Sequence, residues 1–141
     1  MRILGTINVC GNSAGLRPLV GAAAIPNGIY SAVGLKRRIP DVDRWSYKSP
    51  LYRFRFDSLD AEVRSFLLAH NAIGPILNAD RSGIEFAYFT FCPVAESEDE
   101  WFSGYLQSPT LMVLGNLGLG LEIAPESLMP EASYWIADDL R

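Results

Sequence analysis

Tyr52-Arg53-Phe54-Arg55-Phe56-Asp57-Ser58-Leu59-Asp60-Ala61-Glu62-Val63 is the stretch in which the hydrophobic period changes. Tyr52, Phe54 and Phe56 alternate with Arg53 and Arg55, the period of two that marks a half-buried strand. From Leu59 onward the apolar positions are Leu59, Val63, Phe66, Leu67 and His70, spaced i, i+4, i+7, i+8 and i+11 on one helical face. Asp57 or Ser58 suits the N-cap, and Asp60 and Glu62 place negative charge at the positive end of the helix dipole. A strand that passes directly into an amphipathic helix calls for one layer of each kind.

Working outward, Met1 to Val9 puts Ile3, Gly5, Ile7 and Val9 on one face and Arg2, Leu4, Thr6 and Asn8 on the other, a strand with one buried face. Gly11 to Gly15 breaks it, and a short helix is expected over 16–24. Pro26-Asn27-Gly28 turns the chain into an apolar run over 29–35 that fits strand or helix. Residues 36–43 form a basic, turn-rich segment, followed by a strand over 44–49. Downstream, residues 71–82 contain Gly74-Pro75 and read as a loop. Ile84 to Val94 is rich in aromatic and β-branched residues and predicts a central strand. The spacing gives a further short strand over 101–106. Ser108-Pro109 suits an N-cap followed by proline at the first helical position, and Gly118 suits the C-terminal cap. A closing strand follows over 119–123. Beyond it lies a tail, 124–141, whose apolar Tyr134-Trp135-Ile136 is expected to dock on the domain. The fold class expected is a single α+β domain over 1–141, with a mainly antiparallel β-sheet and helices packed on one face.

The chain has 141 residues, 49% hydrophobic and 20% charged, enough to bury a core in one domain and too apolar for a disordered chain. Its net charge of −4 disfavours nucleic acid and anionic membrane as partners and favours basic ones. The charge is unevenly spread: residues 1–55 carry nine basic and two acidic residues, the remainder three basic and fourteen acidic. Interleaving of the two halves in one domain is the simpler expectation. Two uncharged stretches, 19–35 and 101–121, are broken by turn residues and fit a packed core better than a membrane span. The N-terminus lacks a signal-peptide pattern, so a cytoplasmic location is expected. Cys10 and Cys92 make neither a disulfide framework nor a zinc-ligand set. Buried free thiols are the ordinary reading, with one bridge left open if their strands are neighbours.

Gly11-Asn12-Ser13-Ala14-Gly15 matches G-x-S-x-G between a strand and a helix, the turn that lifts a nucleophilic serine in α/β-hydrolases. Asp43 or Asp57 and then His70 complete the partner order. Only one strand precedes the turn, however, and the single histidine sits on an apolar helical stripe. A small serine hydrolase using Ser13 is therefore an alternative reading and not the leading one. Gly115-Asn116-Leu117-Gly118-Leu119-Gly120 follows a helix and precedes a strand, the reverse of a phosphate loop, so capping accounts for it. Lys36-Arg37-Arg38 offers a second alternative, a small-ligand or nucleic-acid binding module, without stacking aromatics around it. Glu96, Glu98, Asp99 and Glu100 precede Trp101 and Phe102. Carboxylates that steer a basic partner beside an aromatic anchor make a recognition patch, so Glu96, Glu98, Asp99, Glu100 and Trp101 are the candidate partner-binding residues. No cofactor, metal or catalytic residue is assigned.

The order of these pieces resembles a family. Its carriers are the strand Arg44-Trp45-Ser46-Tyr47-Lys48-Ser49, the helix start Ser58-Leu59-Asp60-Ala61-Glu62-Val63, and the ending Leu111-Met112-Val113-Leu114-Gly115-Asn116-Leu117-Gly118-Leu119-Gly120-Leu121-Glu122-Ile123. Over roughly residues 1–124 the chain is similar to the small bacterial domains of unknown function in the DUF4279 class, which resemble in setting the immunity proteins of polymorphic toxin systems. The resemblance implies a non-enzymatic, cytoplasmic immunity protein that binds and neutralises a cognate bacterial toxin by stoichiometric protein–protein interaction, and the acidic surface makes a basic toxin the expected partner.

Overall fold

Pairing with the N-terminal strand places most of the sheet. The computed structural model describes residues 1–33 and 42–124. In chain order the elements are β1 (Arg2–Gly11), α1 (Ser13–Gly21), β2 (Ile29–Ala32), β3 (Trp45–Lys48), β4 (Tyr52–Phe54), a single 3-10 turn (Phe56–Ser58) and α2 (Leu59–Ala69). They continue with α3 (Ile73–Ala79), β5 (Ile84–Val94), α4 (Ser108–Asn116) and β6 (Gly120–Ile123). One side of β1 pairs antiparallel with β5, from Arg2 opposite Val94 to Gly11 opposite Ile84. Its other side is divided between β4, opposite Ile3 to Gly5, and β3, opposite Asn8 to Gly11.

The step between β4 and β3 contains Pro50, which has no N–H for a ladder. Ser49 closes the gap. Its N–H donates to Ile7 O at 2.9 Å, and its hydroxyl accepts the Ile7 N–H at 2.8 Å. Thr6 Oγ1 adds a bond to Ser49 O at 2.8 Å. β2 extends the sheet beyond β3, and β6 adds to β5 in parallel, giving the order β2-β3-β1-β5-β6 with β4 on β1.

The core lies between one sheet face and all four helices. Ile3, Ile7 and Val9 of β1 and Ala87, Phe89 and Phe91 of β5 point into it. Leu16 and Leu19 of α1, Val63, Phe66 and Leu67 of α2, Ile73 and Leu77 of α3, and Leu114 of α4 meet them there. Phe54, Phe66 and Phe89 stack edge-on or tilted at 5.6 to 6.1 Å, a geometry their ring quadrupoles favour. The fold is thus α+β with a mainly antiparallel sheet and helices on one face. A smaller cluster of Leu4, Leu51, Cys92 and Val94 occupies the opposite face. Cys10 and Cys92 are free and buried on neighbouring strands. The register sets Cys10 opposite Phe86 and Cys92 opposite Leu4, far apart along β1, so no bridge forms.

Five local expectations are corrected. Residues 73–79 are helical, not loop: Pro75 occupies the third position of α3, where its missing N–H is one of the helix's unpaired donors anyway. The helix after Gly11 begins at Ser13 and ends at Gly21, because Asn12 caps it by accepting the Gly15 N–H at 2.7 Å. Residues 101–106 join no ladder. Ser108 is the first residue of α4, not its cap, and Gln107 holds the cap position without a side-chain bond. Ser58 takes the N-cap position of α2, but its hydroxyl does not cap. Glu62, in the first turn, instead accepts the Arg55 N–H and Nε–H, each at 2.6 Å. Gly118 does close α4, at φ +72°. Its N–H reaches Gly115 O at 2.9 Å and the Leu119 N–H reaches Leu114 O at 3.2 Å, a Schellman ending. Among the described residues no helix is long and apolar enough to cross a membrane.

Candidate partner-binding edge

Ser13 is set at the start of α1 by Asp43, which precedes β3. Asp43 accepts the Ser13 hydroxyl at 2.9 Å, the Ser13 N–H at 3.1 and 3.2 Å, and the Trp45 indole N–H at 2.9 Å. The Ser13 hydroxyl bond above all, helped by the Ser13 N–H, the Trp45 indole and the Arg17 charge, holds this carboxyl below its usual range. A carboxylate made less basic in this way is a poor general base at neutral pH. His70 does not join it. Its Nδ1 lies 2.7 Å from Phe66 O, and its ring packs on Phe66 at 4.5 Å. Burial pushes the imidazole below its ordinary value. The structure therefore brings Ser13 and Asp43 together and leaves His70 in the core.

The glycines of G-x-S-x-G have a packing role. A Cβ on Gly11 or Gly15 would overlap the Gly83 carbonyl oxygen, and Asn12 N–H donates to that same oxygen at 3.0 Å. The motif seats the start of α1 on the turn before β5. Asp57 lies in the 3-10 turn, exposed, with Ser58 as its hydrogen-bond partner at 3.5 Å. Lys36-Arg37-Arg38 and Tyr134-Trp135-Ile136 lie outside the described residues. Among the described residues no group of three His, Cys, Asp or Glu side chains could hold a metal ion.

The acidic turn divides into two functions. Glu100 Oε1 lies 3.1 Å and Glu96 Oε2 3.5 Å from the Met1 amine, and Arg2 Nε lies 3.8 Å from Glu96. The Glu96 N–H donates to Glu100 Oε2 at 2.7 Å and the Glu100 N–H to Ser97 O at 3.2 Å. These bonds, the Glu96 N–H first and the amine second, lower the Glu100 carboxyl. The hydrogen bond that the Met1 amine donates to Glu100 in turn raises the amine. Glu96 and Glu100 thus close the turn. Glu98 and Asp99 are exposed at its tip, and Trp101 directly after it is 82% exposed.

Beyond Trp101 the chain supplies residues outside the candidate partner-binding set. Phe102 turns inward onto Phe91 at 5.4 Å and Phe56 at 6.5 Å. Tyr105 stays 74% exposed. Together with Leu59, Phe91, Leu111 and Ile123 they line a groove of about 220 Å³. The signal was present in Trp101-Phe102-Ser103-Gly104-Tyr105-Leu106, which is aromatic but has no β-branched residue to favour a strand.

No protein-family model matches the chain, and neither a curated protein nor a solved structure matches it significantly. What defines this molecule is its own geometry: an α+β domain with one helix-covered sheet face, and an acidic turn running into an aromatic, apolar edge.

Proposed function

We propose that the protein is a stoichiometric binding protein that neutralises a cognate, basic bacterial toxin, with the acidic turn steering the partner and Trp101 anchoring it. The observation that carries this reading is the pairing of outward Glu98 and Asp99 with a Trp101 that is 82% exposed. A tryptophan left in water beside unengaged carboxylates is the composition of an interface hot spot with a charged rim. The DUF4279-like order of elements supports the immunity role and supplies the kind of partner. Nothing in this role requires bond chemistry from the chain.

The test is co-expression with the product of the neighbouring open reading frame. The expected result is a one-to-one complex that abolishes the neighbour's toxicity. Trp101→Ala should weaken that complex by about tenfold or more, as removal of a central aromatic anchor does. A harmless neighbour, or a complex indifferent to Trp101→Ala, Glu98→Ala and Asp99→Ala together, would overturn the reading.

A further inference from the structure

β6 is an edge strand: among the described residues it pairs only with β5. The Ala124 N–H bonds to Phe91 O at 2.9 Å, which fixes the alternation along the strand. The amides of Ala124 and Glu122 therefore face β5, and those of Leu121 and Ile123 face outward with their carbonyls. An edge of this kind is a template for an added strand.

The side chains beside it are equally incomplete. Leu121 and Ile123 stand opposite Phe89 and Phe91, on the helix face of the sheet, yet are 43% and 63% exposed. Leu111 and Met112 of α4 and Tyr105 of the preceding loop are exposed too. The groove among them has room for an apolar side chain entering from an added strand. Carboxylates stand on both faces beside the strand. Asp57 and Asp60 line an adjoining hollow that shares Leu59, Gly104 and Tyr105 with the groove, and Glu122, exposed on β6 itself, turns to the opposite face and accepts the Thr90 hydroxyl at 3.1 Å. Two cations of the surrounding elements are paired, Arg55 with Glu62 and Arg64 with Asp60, each at 2.6 Å.

We propose that the outer edge of β6 and this groove take an extended segment of the partner as an added strand, one that alternates apolar side chains with Lys or Arg. Main-chain bonds from Leu121 and Ile123 supply affinity and the groove selects the apolar side chains, while the alternate cations fall on the opposite sheet face beside the exposed Glu122. Charge argues against the other occupants. A second copy of the chain, itself at net charge −4, would bring like charges together. Residues 125–141 carry Glu126, Glu131, Asp138 and Asp139 against Arg141 alone. The inference deepens the toxin-binding reading and rests on it for the identity of the partner.

The test follows amide exchange by NMR in the full-length protein, free, with a short blocked peptide of alternating Lys and Val, and with the toxin. In the free protein the Leu121 and Ile123 amides should exchange rapidly while Glu122 is protected. The Lys-Val peptide should slow both by about tenfold or more, and an alternating Glu-Val peptide should not. Ile123→Asp, at an exposed position, should fold normally and lose this protection. Rapid exchange that persists under saturating peptide and toxin would overturn the proposal. So would Leu121 and Ile123 amides already protected in the free chain, whether by residues 125–141 or by dimerisation. The two readings fail separately. A toxin complex that depends on Trp101 but leaves these amides open sinks the added strand alone. Peptide protection with no toxin bound sinks the immunity role alone.

Discussion

His70 is the one histidine of the chain, and its environment gives it a pH signature. Burial lowers its proton affinity in the folded state, and the Phe66 carbonyl only partly restores it. The unfolded chain therefore binds the proton more readily than the native one, and stability rises with pH through this window. The contribution is complete above the ordinary histidine value near 6.5 and is lost as pH falls below it. Urea denaturation from pH 7.5 down to 5 should show the midpoint dropping, and His70→Gln should flatten that slope. A wild-type midpoint constant across the range would contradict this burial. Ser13 makes a contrasting prediction. Its hydroxyl is a hydrogen-bond donor to Asp43 at the mouth of α1. A serine-directed fluorophosphonate should leave the protein unlabelled, and Ser13→Ala should cost about 0.5–1.5 kcal/mol of stability, the net worth of such a bond.

The elements most legible in the sequence are those whose period is uninterrupted. β5 spans 84–94 as the aromatic and β-branched run indicates, and α2 buries Leu59, Val63, Phe66 and Leu67 from its stripe. α3 was hidden because Gly74-Pro75 reads as a turn, and its buried Ile73 and Leu77 are too few to show a period. The parallel seating of β6 and the sharing of β1 by β3 and β4 come from pairings remote in sequence, which no local window reports. The G-x-S-x-G turn looked chemical on one-dimensional spacing. Its reason is three-dimensional: Gly11 and Gly15 meet the backbone of Gly83, about seventy residues away. Gly15→Ala should therefore destabilise the domain by about 1–3 kcal/mol, as overpacking against rigid backbone does. Gly118→Ala should cost about 1–2 kcal/mol for a different reason, the left-handed backbone at φ +72°. Chemical denaturation checks both. Neutral substitution at Gly15 would mean that α1 can lift off the β5 turn.

Among the described residues, ion pairs join the basic N-terminal part to the acidic remainder. Arg44 binds Glu85 through two bonds of 2.8 and 2.9 Å, and Arg2 and the Met1 amine meet Glu96 and Glu100. Glu98 and Asp99, exposed at the tip of the 96–100 turn next to Trp101, take no part in these ion pairs. Neighbouring carboxylates in one turn should consequently behave differently. Glu100 anchors the turn, so Glu100→Ala should loosen it and speed amide exchange at Glu96, whose N–H it accepts. Asp99 anchors nothing that the described residues show, so Asp99→Ala should leave stability within about 0.5 kcal/mol of wild type. Its effect should fall on association instead: a slower on-rate for a basic partner and a shallower dependence of that rate on salt, with dissociation nearly unchanged. Stopped-flow association at several ionic strengths separates the two. If Glu100→Ala and Asp99→Ala shifted on-rate and exchange equally, the division of the turn into a closing pair and a steering pair would be wrong.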